Sequence, residues 1–254
     1  MTPWHHRPLP AALIAQSGAA VAILVAWWLT GTTWSLPLYA WALMQGATAA
    51  LIARLRGARW WWTPIHLAFA PLALAARMLD IAPGWYLGIF VLLLLTYWRT
   101  DRSQVPLYLS SRSTALALSE HLNKPGMRML DLGCGDGGLL RRVARLCPQC
   151  HCVGIEHAPL PWLLGKVCAL GTHNLDIRYG SLWKADLGEY DLVYAFLSPV
   201  PMADLWRKAR AEMPPGSLLI SNTFAIPGTN PDQELVLADR RATRLLLYRA
   251  RQHQ

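Results

Sequence analysis

Charge is nearly absent from the first hundred residues of this chain. Positions 1 to 100 hold six arginines (Arg7, Arg54, Arg56, Arg59, Arg77 and Arg99) and one acid, Asp80. From Asp101 onward acids and bases recur at ordinary density. A water-soluble domain carries about 25% charged residues, whereas the whole chain of 254 residues is 54% hydrophobic and 15% charged. A segment this poor in charge is suited to lipid. The shift near residue 100 leaves roughly 150 residues, enough for one domain with a full core. Two domains are therefore expected, a transmembrane region over 1–99 and a second domain over 100–254.

Within the first region four apolar stretches stand out, at 11–30, 36–53, 64–79 and 82–98. A membrane-spanning helix needs about 20 mostly apolar residues. The third stretch is the weakest, because Arg77 and Asp80 lie at its end, where a long side chain can snorkel toward the interface. Trp27, Trp28, Trp34, Trp60, Trp61, Trp62, Tyr97 and Trp98 fall near the predicted ends, where aromatic rings favour the headgroup zone. In a four-span arrangement Arg7, the Arg54/Arg56/Arg59 cluster and Arg99/Arg102 share one side, and the opposite loops carry no base. Positive residues stay inside, so an integral protein of the inner or plasma membrane is expected, with its N-terminus and second domain in the cytoplasm. A cleaved signal peptide would have a shorter apolar core and no further spans. His66, inside the third stretch, is expected to hydrogen-bond a neighbouring helix. Topology accounts for much of the +9 formal charge, and no nucleic-acid-binding motif is present, so no nucleic-acid partner is expected.

The five cysteines, at 134, 147, 150, 152 and 168, all lie in the second half. An odd number in a cytosolic domain points to free thiols. Cys147-Pro148-Gln149-Cys150-His151 matches the spacing of covalent haem attachment, and Cys152 could add a metal ligand. A structural zinc site needs four ligands, and no second Cys/His pair follows at a suitable distance. A cysteine-rich helix end, turn and strand start is the expected outcome, with no metal.

Beyond residue 112 the pattern alternates. Helices are expected at 112–122, 137–146, 160–170 and 201–213. Strands are expected at 127–132, 151–156, 176–180, 190–197, 217–224, 234–239 and 244–250. This order predicts an α/β fold with a parallel sheet and helices on both faces, closed by an antiparallel hairpin at one edge. Asp131-Leu-Gly-Cys-Gly-Asp-Gly137 lies where the first strand gives way to a helix, at the carboxyl edge where open sheets bind ligands. Its glycines allow a tight turn and a close approach to a ligand. Glu156 ends the next strand, where an acid can accept hydrogen bonds from ribose hydroxyls. Gly133, Gly135 and Gly138 also satisfy the dinucleotide pattern, which alone is weak. Asp131 beside a pyrophosphate would repel it, whereas it suits the cationic amino acid end of S-adenosylmethionine (SAM).

The second domain resembles the class I SAM-dependent methyltransferases over about residues 104 to 224. It is most similar to the membrane-associated protein lysine methyltransferases that, in mitochondria, modify the ATP synthase c subunit and the adenine nucleotide translocase. The likeness rests on Val105–Ser111, Asp131–Gly137, Gly154–His157, Tyr179–Lys184 and Val193–Met202. It implies a Rossmann-like methyltransferase fold with SAM as cofactor. It further implies that Asp131, Gly133, Gly135, Asp136 and Glu156 hold that cofactor, that Ser181 and Leu182 flank the adenine, and that Phe196 to Pro199 form the wall beside the reacting methyl. Family members carry one N-terminal hydrophobic segment where four are expected here. The loop after the fourth strand has no Asn/Asp-Pro-Pro-Tyr motif, which disfavours amide or adenine nitrogens as acceptors. The implied reaction is methyl transfer to an amine, a lysine of a membrane protein. The amine must be neutral to attack, and an apolar pocket lowers its pKa. Tyr108, Tyr194, Phe196, Ser198 and Pro199 are the pocket candidates, with core packing as the competing role; no general base is identifiable. Two alternatives stay open. One is an aminopropyltransferase using decarboxylated SAM, which Asp136 would suit and Asp186 and Asp191 support only thinly. The other is a non-catalytic SAM-binding membrane assembly factor.

Overall fold

The computed structural model describes residues 8–30, 36–79, 81–96, 98 and 110–250. It divides into two compact units, Met1–Gly88 and Ile89–Gln254. Arg7, Trp34, Asp80, Tyr97, Arg99, Arg102 and Tyr108 lie outside the described residues.

All four apolar stretches are helical: α1 (Pro8–Thr30), α2 (Leu38–Leu55), α3 (Trp62–Arg77) and α4 (Pro83–Thr96). Among the described residues one segment, Pro10–Leu29, is long and apolar enough to cross a membrane. α3 and α4 have 16 and 14 residues. At about 1.5 Å per residue both fall short of a hydrocarbon layer about 30 Å thick. Small residues bring α1, α2 and α3 together. Ala11, Ala15 and Ala19 recur every four residues along α1 and are buried, as are Gly46, Ala49, Ala50 and Ala53 of α2. A Cβ on Gly46 would lie 2.7 Å from the Leu67 carbonyl oxygen. Such close backbone approach is how helices associate where the hydrophobic effect is weak. Polar groups add to it. Gln16 Nε2 lies 3.0 Å from Nδ1 of the buried His66, and Gln45 Nε2 donates to Gln16 Oε1 at 2.6 Å. His66 thus bonds a neighbouring helix, as its position in an apolar stretch implies. On α4 every residue from Pro83 to Leu94 is exposed.

The second unit holds α5 (Arg112–Glu120), β1 (Arg128–Leu132), α6 (Gly138–Leu146), β2 (His151–Glu156), α7 (Pro159–Cys168) and β3 (Leu175–Tyr179). A single 3-10 turn (Leu182–Lys184), β4 (Leu192–Ala195), α8 (Met202–Glu212), β5 (Leu218–Asn222), β6 (Gln233–Val236) and β7 (Arg244–Arg249) follow. The seven strands form one sheet in the order β3-β2-β1-β4-β5-β7-β6. β1 to β5 are parallel, and β7 enters antiparallel between β5 and β6. This is the expected Rossmann-like α/β fold with its closing hairpin. Strand order reverses between β1 and β4, the crevice where open sheets bind ligands. β1, β4 and β5 are almost wholly buried because helices cover both faces, which explains their continuous apolar runs.

The cysteine-rich segment is core. Cys147, Cys150 and Cys152 are buried between α6 and β2. The Cys147 thiol donates to the Ser119 carbonyl and the Cys150 thiol to those of Leu122 and Lys124. Burial pushes all three thiols up, Cys152 to about 12. The Asn174 amide reaches the carbonyls of Ala144, Cys147 and Cys150 at 3.0 to 3.1 Å, groups that the end of α6 leaves without helical partners. Among the described residues no three His, Cys, Asp or Glu side chains are grouped to hold a metal ion.

Gly154, midway along β2, leaves no room for a side chain. A Cβ there would stand 2.6 Å from both Cys134 Sγ and Leu140 Cδ1. Overpacking of this kind costs about 1–3 kcal/mol. Gly154→Ala should therefore lower the melting temperature of the full chain by several degrees in a thermal scan, and an unchanged transition would contradict the packing described.

Candidate active site

The bend between β1 and α6 depends on backbone conformations that glycine adopts freely. Gly133, Gly135 and Gly137 have φ of 83°, 57° and 69°, the left-handed region that a Cβ disfavours. The bend folds onto the end of β2, with the N–H groups of Gly133 and Cys134 both donating to the Ile155 carbonyl, at 2.8 and 3.1 Å. Glu156 then fixes it from the side. Its Oε2 accepts the Gly135 N–H at 2.8 Å, and its Oε1 accepts those of His157 and Ala158 at 2.7 Å each. A carboxylate offers about four acceptor positions. Three are filled by these backbone N–H groups.

Asp136 works within the bend itself. Its carboxylate accepts the Gly138 N–H at 3.0 Å and pairs with Arg141 Nη2 at 3.2 Å. Arg141 also donates to the Asp136 carbonyl. These contacts fasten the first turn of α6, where a negative charge is favoured by the helix dipole. Asp131, one residue before the end of β1, is 4% exposed. Desolvation, and secondly the nearby charge of Glu156, push its pKa up to about 8. Burial thus favours its uncharged form.

Asp131, Gly133, Arg141, Tyr194 and Phe196 are among the residues lining a cavity of 160 Å³. Deep in its wall the Tyr194 hydroxyl accepts the Asn222 amide and lies 2.7 Å from Ser110 Oγ. Either hydroxyl can supply the proton of the Tyr194–Ser110 hydrogen bond. Burial, and secondly the charge of Asp131, raise the Tyr194 pKa, so the phenol stays neutral. A larger cavity of 640 Å³ shares Ser110 and Phe196 with the first and is also walled by Thr223, Phe224 and the turn between β6 and β7.

Of the residues expected from sequence, Asp131, Gly133, Gly135, Asp136 and Glu156 meet at the bend, and Tyr194 and Phe196 stand beside them. Ser181 and Leu182 belong to the turn after β3. Ser181 Oγ accepts the Trp183 N–H at 3.4 Å, and Leu182 packs on the core. Nearby, Tyr179 stacks on His157 at 5.8 Å and meets Trp162 edge-on at 5.4 Å. Ser198 is buried and its Oγ has no hydrogen-bond partner among the described residues, while Pro199 is exposed. Neither is among the residues lining the two cavities. Tyr108 lies outside the described residues. Sequence reasoning did not find Ser110, Asn222, Thr223 or Phe224. Phe224 beside an apolar strand is a weak signal; the others carry none.

Comparison with known proteins agrees with this geometry. The sequence profile of the ANTKMT methyltransferase domain matches residues 131–233. The adenine nucleotide translocase lysine N-methyltransferase of Mus musculus is 33% identical over 141 residues, covering 51% of this chain and 58% of that protein. A protein-lysine N-methyltransferase of Saccharolobus islandicus is 30% identical over 112 residues, covering 43% of this chain and 70% of that protein. The chain thus spans little more than half the length of the mouse relative. Among solved structures, an RNA methyltransferase from Salinibacter ruber in complex with S-adenosyl-L-homocysteine matches with a TM-score of 0.52. It is 22% identical and covers 58% of this chain and 96% of that one. The structural likeness carries the fold alone, while the sequence relatives carry the family. The chain belongs to the protein-lysine N-methyltransferases of class I, whose cofactor is S-adenosylmethionine.

Proposed function

We propose that this chain transfers a methyl group from SAM to a lysine amine of a membrane-associated protein. The observation that carries the proposal is Glu156, aimed at the glycine bend, where it accepts three backbone N–H groups. A fourth acceptor position of that carboxylate suits a ribose hydroxyl, and the bend lets a nucleoside approach the backbone closely. Asp131 is placed to receive the cofactor's amino acid end, with Asp136 holding the bend in shape. Ser181 and Leu182, at the end of β3, border the adenine side. When bound, SAM supplies a methyl group already activated on a positively charged sulfur. What remains for the protein is alignment and dryness. Phe196 walls both cavities and excludes water. Tyr194, held neutral, fixes Ser110, whose oxygen can orient an incoming amine. Desolvation and nearby arginines both favour the neutral form of that amine.

Polyamine chemistry gains no support. Arg141, Arg142, Arg240, Arg241 and Arg244 line the two cavities, and Asp136 is already paired. A polycation would be repelled. The glycine bend and Glu156 together also suit an active enzyme better than an assembly factor that has no need of them.

The N-terminal unit is proposed to lie in a bilayer, with α1 crossing it and the shorter α2, α3 and α4 embedded beside it. Support comes from the apolar Pro10–Leu29 segment, the exposed apolar surface of α4 and the small-residue packing of α1 to α3. Arg54 in the last turn of α2, with Arg56 and Arg59 after it, favours a cytoplasmic side for that loop and the catalytic unit; a single crossing by α1 then leaves the N-terminus on the opposite side. A catalytic unit tethered in this way meets lysines close to the membrane surface.

Three outcomes follow from these assignments. Glu156→Ala should weaken SAM binding about 10- to 100-fold, the value of a charged hydrogen bond, measured by calorimetry; unchanged affinity would remove Glu156 from the site. Asp131, raised by folding, contributes stability that is complete below the ordinary carboxylate pKa and is lost as pH rises through about 8. A bound cation favours its ionised form, so SAM binding should release a proton and tighten by up to about tenfold per unit as pH rises toward 8. Asp131→Asn should abolish that dependence in titrations across buffers. Finally, purified chain with labelled SAM should label lysines of membrane proteins. Label found only on lipid or small amines would refute the proposed acceptor.

A further inference from the structure

Among the described residues only two that are not glycine have a positive φ, Thr223 at 68° and Ala242 at 46°. Both line the 640 Å³ cavity. For a β-branched residue this region is a true outlier, and such outliers gather at functional sites. Thr223 is the centre of a tight three-residue turn closed by the Phe224 N–H on the Asn222 carbonyl at 2.8 Å. Its own N–H is held by the Arg244 carbonyl at 2.7 Å, and its hydroxyl by Asn222 Oδ1 at 2.8 Å. The surrounding structure fixes both residues where relaxed backbone would not place them.

Charge at this cavity is unbalanced. The Asp239 carboxylate keeps its charge, but its oxygens are occupied by the N–H groups of Arg241 and Thr243 and by the Thr243 hydroxyl, so the rim's one acid is outnumbered by two arginines. The Arg244 guanidinium is matched by both oxygens of Glu234. Arg240 and Arg241 are exposed at the rim, and among the described residues no ion pair or side-chain hydrogen bond engages their guanidinium groups. A lysine approaching this rim alone brings a like charge, and a carboxylate beside it removes the repulsion.

We infer that the 640 Å³ cavity admits the acceptor lysine, and that Arg240 and Arg241 select segments carrying a carboxylate next to that lysine. The inference rests on the lysine methyltransferase reading above. Two features support it besides charge. Ser110 and Phe196 wall both cavities, so the space under the rim borders the space beside Asp131 and Gly133. The planar guanidinium also pairs with carboxylates through two parallel hydrogen bonds, giving direction as well as attraction.

Peptides with one lysine flanked by glutamate, glutamine or arginine, offered to the full chain with labelled SAM, test this. The glutamate-flanked peptide should exceed the glutamine-flanked one in kcat/KM by about tenfold or more, with the arginine-flanked one poorest. The double variant Arg240→Glu/Arg241→Glu should lose or invert the order while its SAM affinity and melting temperature stay unchanged. Equal kcat/KM for the three peptides in the wild-type chain overturns the inference and leaves lysine methylation standing. So does an order that survives in the variant. Bound SAM with no transfer to any lysine overturns both.

Discussion

Three backbone N–H groups converge on the carboxylate of Glu156, one from the glycine bend and two from the chain that follows β2. Without that acceptor, the N–H groups of Gly135, His157 and Ala158 would lose their partner. The carboxylate therefore positions Gly135 and the entry to α7 together, and it does so from the end of a buried strand. Gly154, two residues earlier, lets the bend come this close, since any side chain would strike Cys134 and Leu140. The charge of Glu156 also reaches Asp131 and favours its uncharged form. One residue thus sets the shape of the bend and the electrostatics of the cavity behind it.

Most of the catalytic unit was legible because its strands are buried on both faces and its helices on one. The expected helices and strands from 112 to 250 all form, and the glycine bend falls at the strand end where its spacing placed it. The 3-10 turn at Leu182–Lys184 was not legible, since three residues carry no periodicity. Nor was the contact between Ser110 and Tyr194, which lie 84 positions apart. It joins the residue two before α5 to β4, and no local pattern records that meeting. Tyr194 read from sequence as a pocket aromatic; in the fold it is 1% exposed and shows the cavity its hydroxyl, through Ser110. Glu156 was found because strand-end position is local information, whereas Asn222 needed the sheet order to bring β5 beside β4.

The N-terminal unit shows the limit of apolar composition as a guide to span. Composition located four helices correctly, yet α3 and α4 are too short to cross a full hydrocarbon layer. Arg77 follows the apolar run of α3, and Pro71 interrupts its hydrogen bonding. The unit's cohesion comes from elsewhere. Alanine and glycine faces let helix backbones approach, and the Gln16, Gln45 and His66 side chains link three helices through polar contacts. Such contacts specify which helices pair more than they add stability, because a polar group in an apolar setting bonds only where a partner is presented.

The two cavities divide their charges unequally, and the division bears on how an amine becomes reactive. The acids, Asp131 and Asp136, lie at the bend, one favoured in its uncharged form by burial and one paired with Arg141. Arg141 and Arg142 line the same space, while Arg240, Arg241 and Arg244 outnumber Asp239 around the larger one. A lysine side chain passing the arginines moves from water into a region where its own positive charge is disfavoured twice, by desolvation and by like charge. On the proposed reading, both effects push toward loss of its proton before it reaches the cofactor. The neutral Tyr194 and Ser110 hydroxyls then offer hydrogen bonds without adding a negative charge that would restore the proton. A carboxylate deep in the larger cavity would have the reverse effect, holding the lysine charged and unreactive. A carboxylate on the acceptor's own neighbour, kept at the rim by Arg240 and Arg241, aids entry without reaching the amine.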